Sequence, residues 1–197
     1  MANTGVGRDA LKIVFPSLQR TPENPQPIVV MTCGISGSGK STLAKAIEAQ
    51  LAFTRLSVDA MIHEAHGLYG IDYAPSKYAE YQDEAQAKLK DELRRLLRAE
   101  NRDVVLDLAF WNKEYRDEFK ALIEENGGRW VLVFLQAERE LLWRRITERR
   151  ARRDALDETD ERRDGDSAFN VDEATFDMYC NGFERPEGEG EIVINCS

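Results

Sequence analysis

Lys40 and Ser41 close an octapeptide, Gly34-Ile35-Ser36-Gly37-Ser38-Gly39-Lys40-Ser41, that fills every fixed position of the phosphate-binding pattern G-x-x-x-x-G-K-[ST]. Glycines let a backbone curl until successive N–H groups point inward at phosphate oxygens, and a helix N-terminus behind them adds partial positive charge. In such a loop the lysine reaches the β and γ phosphates and the serine hydroxyl ligates Mg²⁺. The chemistry expected of residues 34–41, with Thr42 behind them, is the holding of a nucleoside triphosphate, ATP with Mg²⁺. A dinucleotide fingerprint G-x-G-x-x-G is excluded, because after Gly37 and Gly39 the place of the third glycine holds Thr42.

Two acids stand at ends of apolar runs. Asp59 follows Leu56-Ser57-Val58, where a carboxylate beside the phosphate loop can accept the proton of an attacking hydroxyl during phosphoryl transfer. Aspartate there also suits the cap of a following helix, and the two roles are compatible. Asp107 closes Val104-Val105-Leu106 and, unpartnered in apolar surroundings, would be costly. Its expected partner is Mg²⁺, directly or through water, as for a Walker B aspartate, with a hydrogen bond to Thr32 or Lys40 as the alternative. Six arginines crowd ten positions: Arg144, Arg145, Arg149, Arg150, Arg152 and Arg153. Arg145 and Arg149, four apart, share a helix face, and a segment that closes them over the triphosphate would neutralise charge on the transferring group and exclude water. The other arginines of the tail of that cluster read as a solvated surface, and residues 144–168 as a mobile lid.

The elements that must position these groups alternate. Ile28–Cys33 reads as a buried strand leading into the loop, and Thr42–Leu51 as an amphipathic helix leaving it. Further strands are expected at Phe53–Val58, Asp103–Leu108, Trp130–Leu135 and Glu191–Asn195. Between them, Ser76–Arg98 and the stripe Tyr115, Phe119, Leu122, Ile123 carry helical spacing. Strands alternating with helices imply a parallel sheet covered on both faces. Residues 1–27, with Pro16, Pro22, Pro25 and Pro27, read as an extended arm.

Composition sets the bounds. The chain has 197 residues, 42% of them hydrophobic, which suits one ordinary domain with a full core, residues 28–197. Its 36 acidic against 27 basic residues give a net charge of −9, which disfavours general nucleic-acid binding. No apolar run approaches a membrane span, and Arg8, Asp9 and Lys12 in the first dozen positions do not suit a signal peptide, so a cytoplasmic protein is expected. Cys33, Cys180 and Cys196 are too scattered for a zinc site or disulfide framework, and Cys33 reads as a small buried hydrophobe. His63-Glu64-Ala65-His66 lacks the H-E-x-x-H spacing of a zinc site.

From Ile28 onward the chain resembles the P-loop kinase group that includes polynucleotide kinase, zeta toxin, gluconate kinase and chloramphenicol phosphotransferase. The resemblance rests on G-I-S-G-S-G-K-S, S-V-D-A-M-I, V-V-L-D-L-A-F-W-N-K-E-Y-R, L-W-R-R-I-T-E-R-R and Phe183-Glu184-Arg185-Pro186. It implies a three-layer α/β fold with a five-stranded parallel sheet in the order 2-3-1-4-5. It also implies that Asp59 is the catalytic base, that Arg145 and Arg149 are lid residues on the nucleotide, and that Arg116 lies on the acceptor or phosphate side. Polynucleotide kinases carry an arginine three residues after the base, where this chain has Ile62. An apolar residue there is closer to the chloramphenicol phosphotransferase pattern, which takes a neutral small molecule. His63, His66, Tyr69, Tyr73, Tyr78, Phe110 and Trp111 are candidates for an aromatic pocket around such an acceptor. The expectation is ATP-dependent phosphorylation of a small-molecule hydroxyl; a nucleic-acid end kinase and a regulatory ATPase are the alternatives.

Overall fold

A computed structural model of the chain describes residues 4–156 and 171–197, the side chains from residue 7 onward. Five strands, β1 (Ile28–Cys33), β2 (Thr54–Leu56), β3 (Val104–Leu106), β4 (Arg129–Gln136) and β5 (Ile192–Asn195), form one sheet in the order β2-β3-β1-β4-β5. Every pairing is parallel, with Val29 opposite Val104 on one side of β1 and Val30 opposite Val131 on the other. The expected topology is therefore the one found. β1 is central and wholly buried, so it reads as an unbroken apolar run.

The helices are α1 (Thr4–Val14), α2 (Lys40–Leu51), α3 (Val58–His66), α4 (Tyr78–Arg98), α5 (Lys113–Glu125), α6 (Arg139–Asp154) and α7 (Glu173–Gly182). The period-two alternation of β1 divides the core. Val29, Met31 and Cys33 face α3, α4 and α5, where Ile62, Leu89, Leu93 and Phe119 are buried. Ile28 and Val30 face α1 and α2, where Leu11, Val14, Leu43 and Ile47 are buried. A third cluster, Leu142, Ile146, Val171 and Phe176, joins α6 to α7 beside the phosphate loop. Leu89, Leu93, Leu96 and Leu97 of α4 recur at three- and four-residue spacing, the stripe that folds that helix onto the sheet.

One expectation is corrected. Residues 4–18 are not an extended arm: α1 and a 3-10 turn at Phe15–Leu18 bury Ala10, Leu11, Val14 and Leu18. Pro16 is compatible because it stands at the start of that turn, where its missing N–H is not needed. Gly7 lets α1 close on α2, since a Cβ there would stand 3.0 Å from the Thr42 methyl. The part of the expected lid at 157–170 lies outside the described residues; its beginning is helical, as the end of α6.

Candidate active site

The loop between β1 and α2 needs its glycines for two reasons. Gly34, Gly37 and Gly39 all have positive φ, at 145°, 85° and 105°. A Cβ on Gly34 would also come 2.7 Å from the Leu135 carbonyl oxygen, and one on Gly37 2.9 Å from that of Leu142. The loop is thus a backbone cradle that any side chain at those two positions would fill. Gly39 caps α2 without a side-chain bond, leaving the first amides of the helix for an anion. The Ser38 hydroxyl is buried inside the loop without a protein hydrogen-bond partner.

Lys40, the first residue of α2, folds its ammonium back to donate to the Ile35 carbonyl at 3.1 Å. The residue keeps partial exposure, but its ammonium is enclosed by the loop, and burial pushes its pKa below the usual lysine range. The charges of Asp107 and Asp59 oppose that shift, and Arg149 adds to it. Lysine, two acids and arginine therefore share one electrostatic neighbourhood, although they come from four elements.

Asp107 just beyond β3 is the junction of that neighbourhood. Its Oδ1 accepts from Ser41 Oγ at 3.1 Å, while Oδ2 accepts from Arg55 Nε and Nη2 at 3.0 and 2.6 Å. The Arg55 and Asp107 side chains are only 11% and 3% exposed, so the pair meets the requirement that a buried carboxylate be compensated. Neither Thr32 nor Lys40, the hydrogen-bond partners considered from sequence, bonds to it: the Thr32 hydroxyl donates to the Leu106 and Leu108 carbonyls and the Lys40 ammonium to that of Ile35. Arg55 was missed; its one signal is an arginine in the middle of a short strand, Thr54–Leu56, next to the strand that leads to Asp107. Ser41 and Asp107, 3.1 Å apart at the foot of the loop, offer the hard oxygen donors that Mg²⁺ takes alongside phosphate oxygens and water. No group of three or more His, Cys, Asp or Glu suited to a metal occurs among the described residues.

Asp59 lies in the first turn of α3 but is not its cap. That role belongs to Ser57, whose Oγ accepts from the Ala60 amide at 3.4 Å. The Asp59 charge instead reaches the phenols of Tyr73, Tyr78 and Tyr179, whose pKa values rise chiefly through burial and further through that carboxylate. Tyr179, from α7, was not among the expected site residues, because nothing in the spacing of α7 sets it apart.

The aromatic candidates separate into three groups. Tyr69, Tyr73 and Tyr78 meet edge to face, with ring centroids 5.9 and 5.6 Å apart, and His66 stacks on Tyr81 at 3.6 Å. Phe110 is fully buried among Tyr115 and Phe119, so it belongs to the core and not to a pocket wall. Trp111 is 53% exposed. Ile62 is likewise a core residue, 1% exposed, and cannot touch an acceptor from there. Arg116 is also corrected: its side chain is 1% exposed and paired with Glu189 at 2.6 Å, a guanidinium inside the fold and not one offered to a phosphate. Among the lid arginines, Arg145 donates to the Gly37 carbonyl at 3.4 Å and to that of Ser197 at 3.1 Å, bracing the loop from behind. Arg149 is the one whose charge is felt at Lys40. Cys33 is a buried thiol, pushed up to about 11 by desolvation.

No helix among the described residues is long and apolar enough to cross a membrane. A family profile described as an AAA domain matches residues 29–186. No curated protein matches the sequence. Solved structures share the fold at low identity. The Chaetomium thermophilum Kti12 in complex with ADP-AlF3 superposes with a TM-score of 0.61 at 18% identity, over 85% of this chain and 88% of that one. A gluconokinase from Sinorhizobium meliloti 1021 gives 0.53 at 21% identity, over 90% and 84%. A chain of the Pnkp1/Rnl/Hen1 RNA repair complex gives 0.61 at 15% identity, over 80% of this chain and 44% of its own length.

Proposed function

The chain belongs to the AAA domain family, and from that premise we propose that it is a P-loop kinase that moves the γ-phosphoryl group of ATP to a hydroxyl of a small molecule. The observation that carries this reading is the backbone cradle itself, with the Lys40 ammonium folded into it and the Ser41 hydroxyl 3.1 Å from the Asp107 carboxylate at its foot. The loop amides and Lys40 hold the β and γ phosphates. Ser41 and Asp107 would hold Mg²⁺, which would supply neutralising charge beside the phosphates. Asp59 takes the proton of the acceptor hydroxyl as its oxygen bonds to the γ-phosphorus. The bond from that phosphorus to the bridging oxygen breaks, and ADP leaves with the electron pair. Arg149 offsets charge on the group in flight.

The gluconokinase fold supports a small acceptor, and the net charge of −9 argues against a polyanion. The RNA repair complex favours a second reading, an RNA end kinase, which an oligonucleotide with a free terminal hydroxyl tests directly. For either acceptor the deciding variant is Asp59→Asn, assayed with Mg²⁺-ATP against a mass-resolved library of hydroxyl compounds. Transfer should fall by roughly 10²–10⁴, the usual loss of a general base, with ATP affinity within a few-fold. Because Ser57 caps α3, the melting temperature should change little. Normal transfer in Asp59→Asn would overturn the mechanism.

A further inference from the structure

Asp59 and Trp111 lie beyond the carboxyl ends of neighbouring strands. β2 pairs with β3 through Leu56 and Leu106, and the chain runs on from those residues to Asp59 and to Trp111 respectively. In open parallel sheets this is the edge over which ligands bind. Trp111 is 53% exposed there, the largest side chain that β3 delivers to solvent.

The turn that presents it is strained. Phe110 has φ of 46°, in the left-handed region that a bulky aromatic side chain avoids, although its ring is fully buried. Such conformations persist only where the surroundings over-determine them, and they cluster at sites that hold ligands. Here the surroundings are explicit. The Phe110 carbonyl accepts from Arg116 Nη1 at 3.0 Å and from Cys33 Sγ at 3.3 Å. The same Arg116 nitrogen donates to the Glu184 carbonyl at 2.8 Å, and the Glu184 amide donates to the Trp111 carbonyl at 2.8 Å. The rest of the Arg116 fork is spent on Glu189, whose carboxylate also takes Lys120 at 2.8 Å. A buried guanidinium with a partner at each of its three nitrogens thus ties both sides of a turn whose only exposed aromatic ring is Trp111.

Resting on the kinase reading, we infer that Trp111 is the stacking surface for a flat, uncharged face of the acceptor, and that Arg116 is a positioning residue that holds it there through the Phe110 turn. The carboxylate of Asp59, in the first turn of the helix that leaves the neighbouring strand, disfavours an anionic acceptor at this edge. An aromatic alcohol or the apolar face of a glycoside matches both the ring and that charge.

The test uses protein labelled with 5-fluorotryptophan, which gives one ¹⁹F resonance for each of its three tryptophans; that of Trp111 is the one lost in Trp111→Phe. Protein loaded with Mg²⁺ and a non-hydrolysable ATP analogue is titrated with neutral probes, phenyl β-D-glucopyranoside and 4-hydroxybenzyl alcohol, and separately with an oligothymidylate. The expected result is a shift of the Trp111 resonance by a neutral probe, with affinity about tenfold lower in Trp111→Ala. Arg116→Lys, which keeps the charge but not the fork, should move or broaden that resonance before any probe is added. It should weaken the neutral probe by a similar factor and leave nucleotide affinity within twofold. The inference is overturned if no neutral probe moves the resonance, if only the oligothymidylate does, or if Arg116→Lys lowers the melting temperature while resonance and affinity stay put. Should Arg116→Lys fail to fold, Trp111→Ala at its exposed position still decides the stacking claim. None of these readouts needs turnover, so their failure is distinct from failure of Asp59→Asn to lose transfer.

Discussion

At the carboxyl end of the sheet, residues 34–41 make a cradle out of their own backbone, whereas the turn at Phe110 and Trp111 is held by the side chains of Arg116 and Cys33 and by the backbone of Glu184. The cradle relies on positive φ and on room where Cβ atoms would be. The turn relies on Arg116, Cys33 and Glu184, with Glu189 compensating the guanidinium. The two constructions fail differently. A cradle of amides keeps its shape when its one charged side chain is removed and loses only what that charge does. A turn held by a buried ion pair loses its geometry when either partner goes.

Lys40→Ala should break the comparison most visibly. The ammonium bonds only to the Ile35 carbonyl within its own loop, so its loss should abolish ATP turnover and sharply lower nucleotide affinity while thermal unfolding stays near wild type. Calorimetry with Mg²⁺-ATP checks this, and undiminished affinity would remove Lys40 from the nucleotide site. A smaller effect is expected at Arg149, roughly a 10²-fold fall in kcat with a lesser rise in the KM for ATP, if it acts on charge that develops in transfer. A change confined to KM would reassign it to ground-state binding.

Glu189→Gln sharpens the other side of the comparison. Arg116 holds the Glu189 carboxyl down from 4.5 to about 2. A depressed folded-state pKa stabilises the fold above the unfolded value and loses that contribution as pH falls through the folded one. At pH 7 the variant should therefore be less stable by about 2 kcal/mol, somewhat less than deletion of a buried partner because the amide still accepts a bond. The gap should narrow as pH drops from about 4.5 to about 2. Chemical denaturation at stepped pH reads it, and a gap independent of pH would mean that the pair contributes by shape and not by charge.

The same contrast explains what the sequence revealed. β1 was legible to the residue, because a wholly buried central strand is an unbroken apolar run. The loop was legible because its chemistry is contiguous. The strand expected at Phe53–Val58 is only Thr54–Leu56, since Ser57 turns out of the sheet to cap α3. That Asp107 needed a partner was legible, but not that the partner is Arg55, nor the Arg116–Glu189 pair, because ion pairs between separated residues have no period and no fixed spacing. Ile62 was read as an acceptor contact from its place three residues after Asp59 in the resembling motif, and Phe110 from its aromatic type, but neither place nor type says which way a side chain faces, and both are buried. The N-terminal helix was hidden by the prolines that follow it, although Ala10, Leu11, Val14 and Leu18 carry its buried stripe.

The central place of β1 also sets the order in which the molecule is assembled. Its neighbours in the sheet, β3 and β4, are synthesised long after it, and the pairings Val29 with Val104 and Val30 with Val131 close very large loops of chain. Such closures are entropically expensive and slow, so the segment that carries the phosphate loop emerges early from the ribosome but is fixed late. Until β4 has formed, the loop lacks the Leu135 carbonyl against which Gly34 rests. A nucleotide that bound only the native form would draw the last folding equilibrium toward completion.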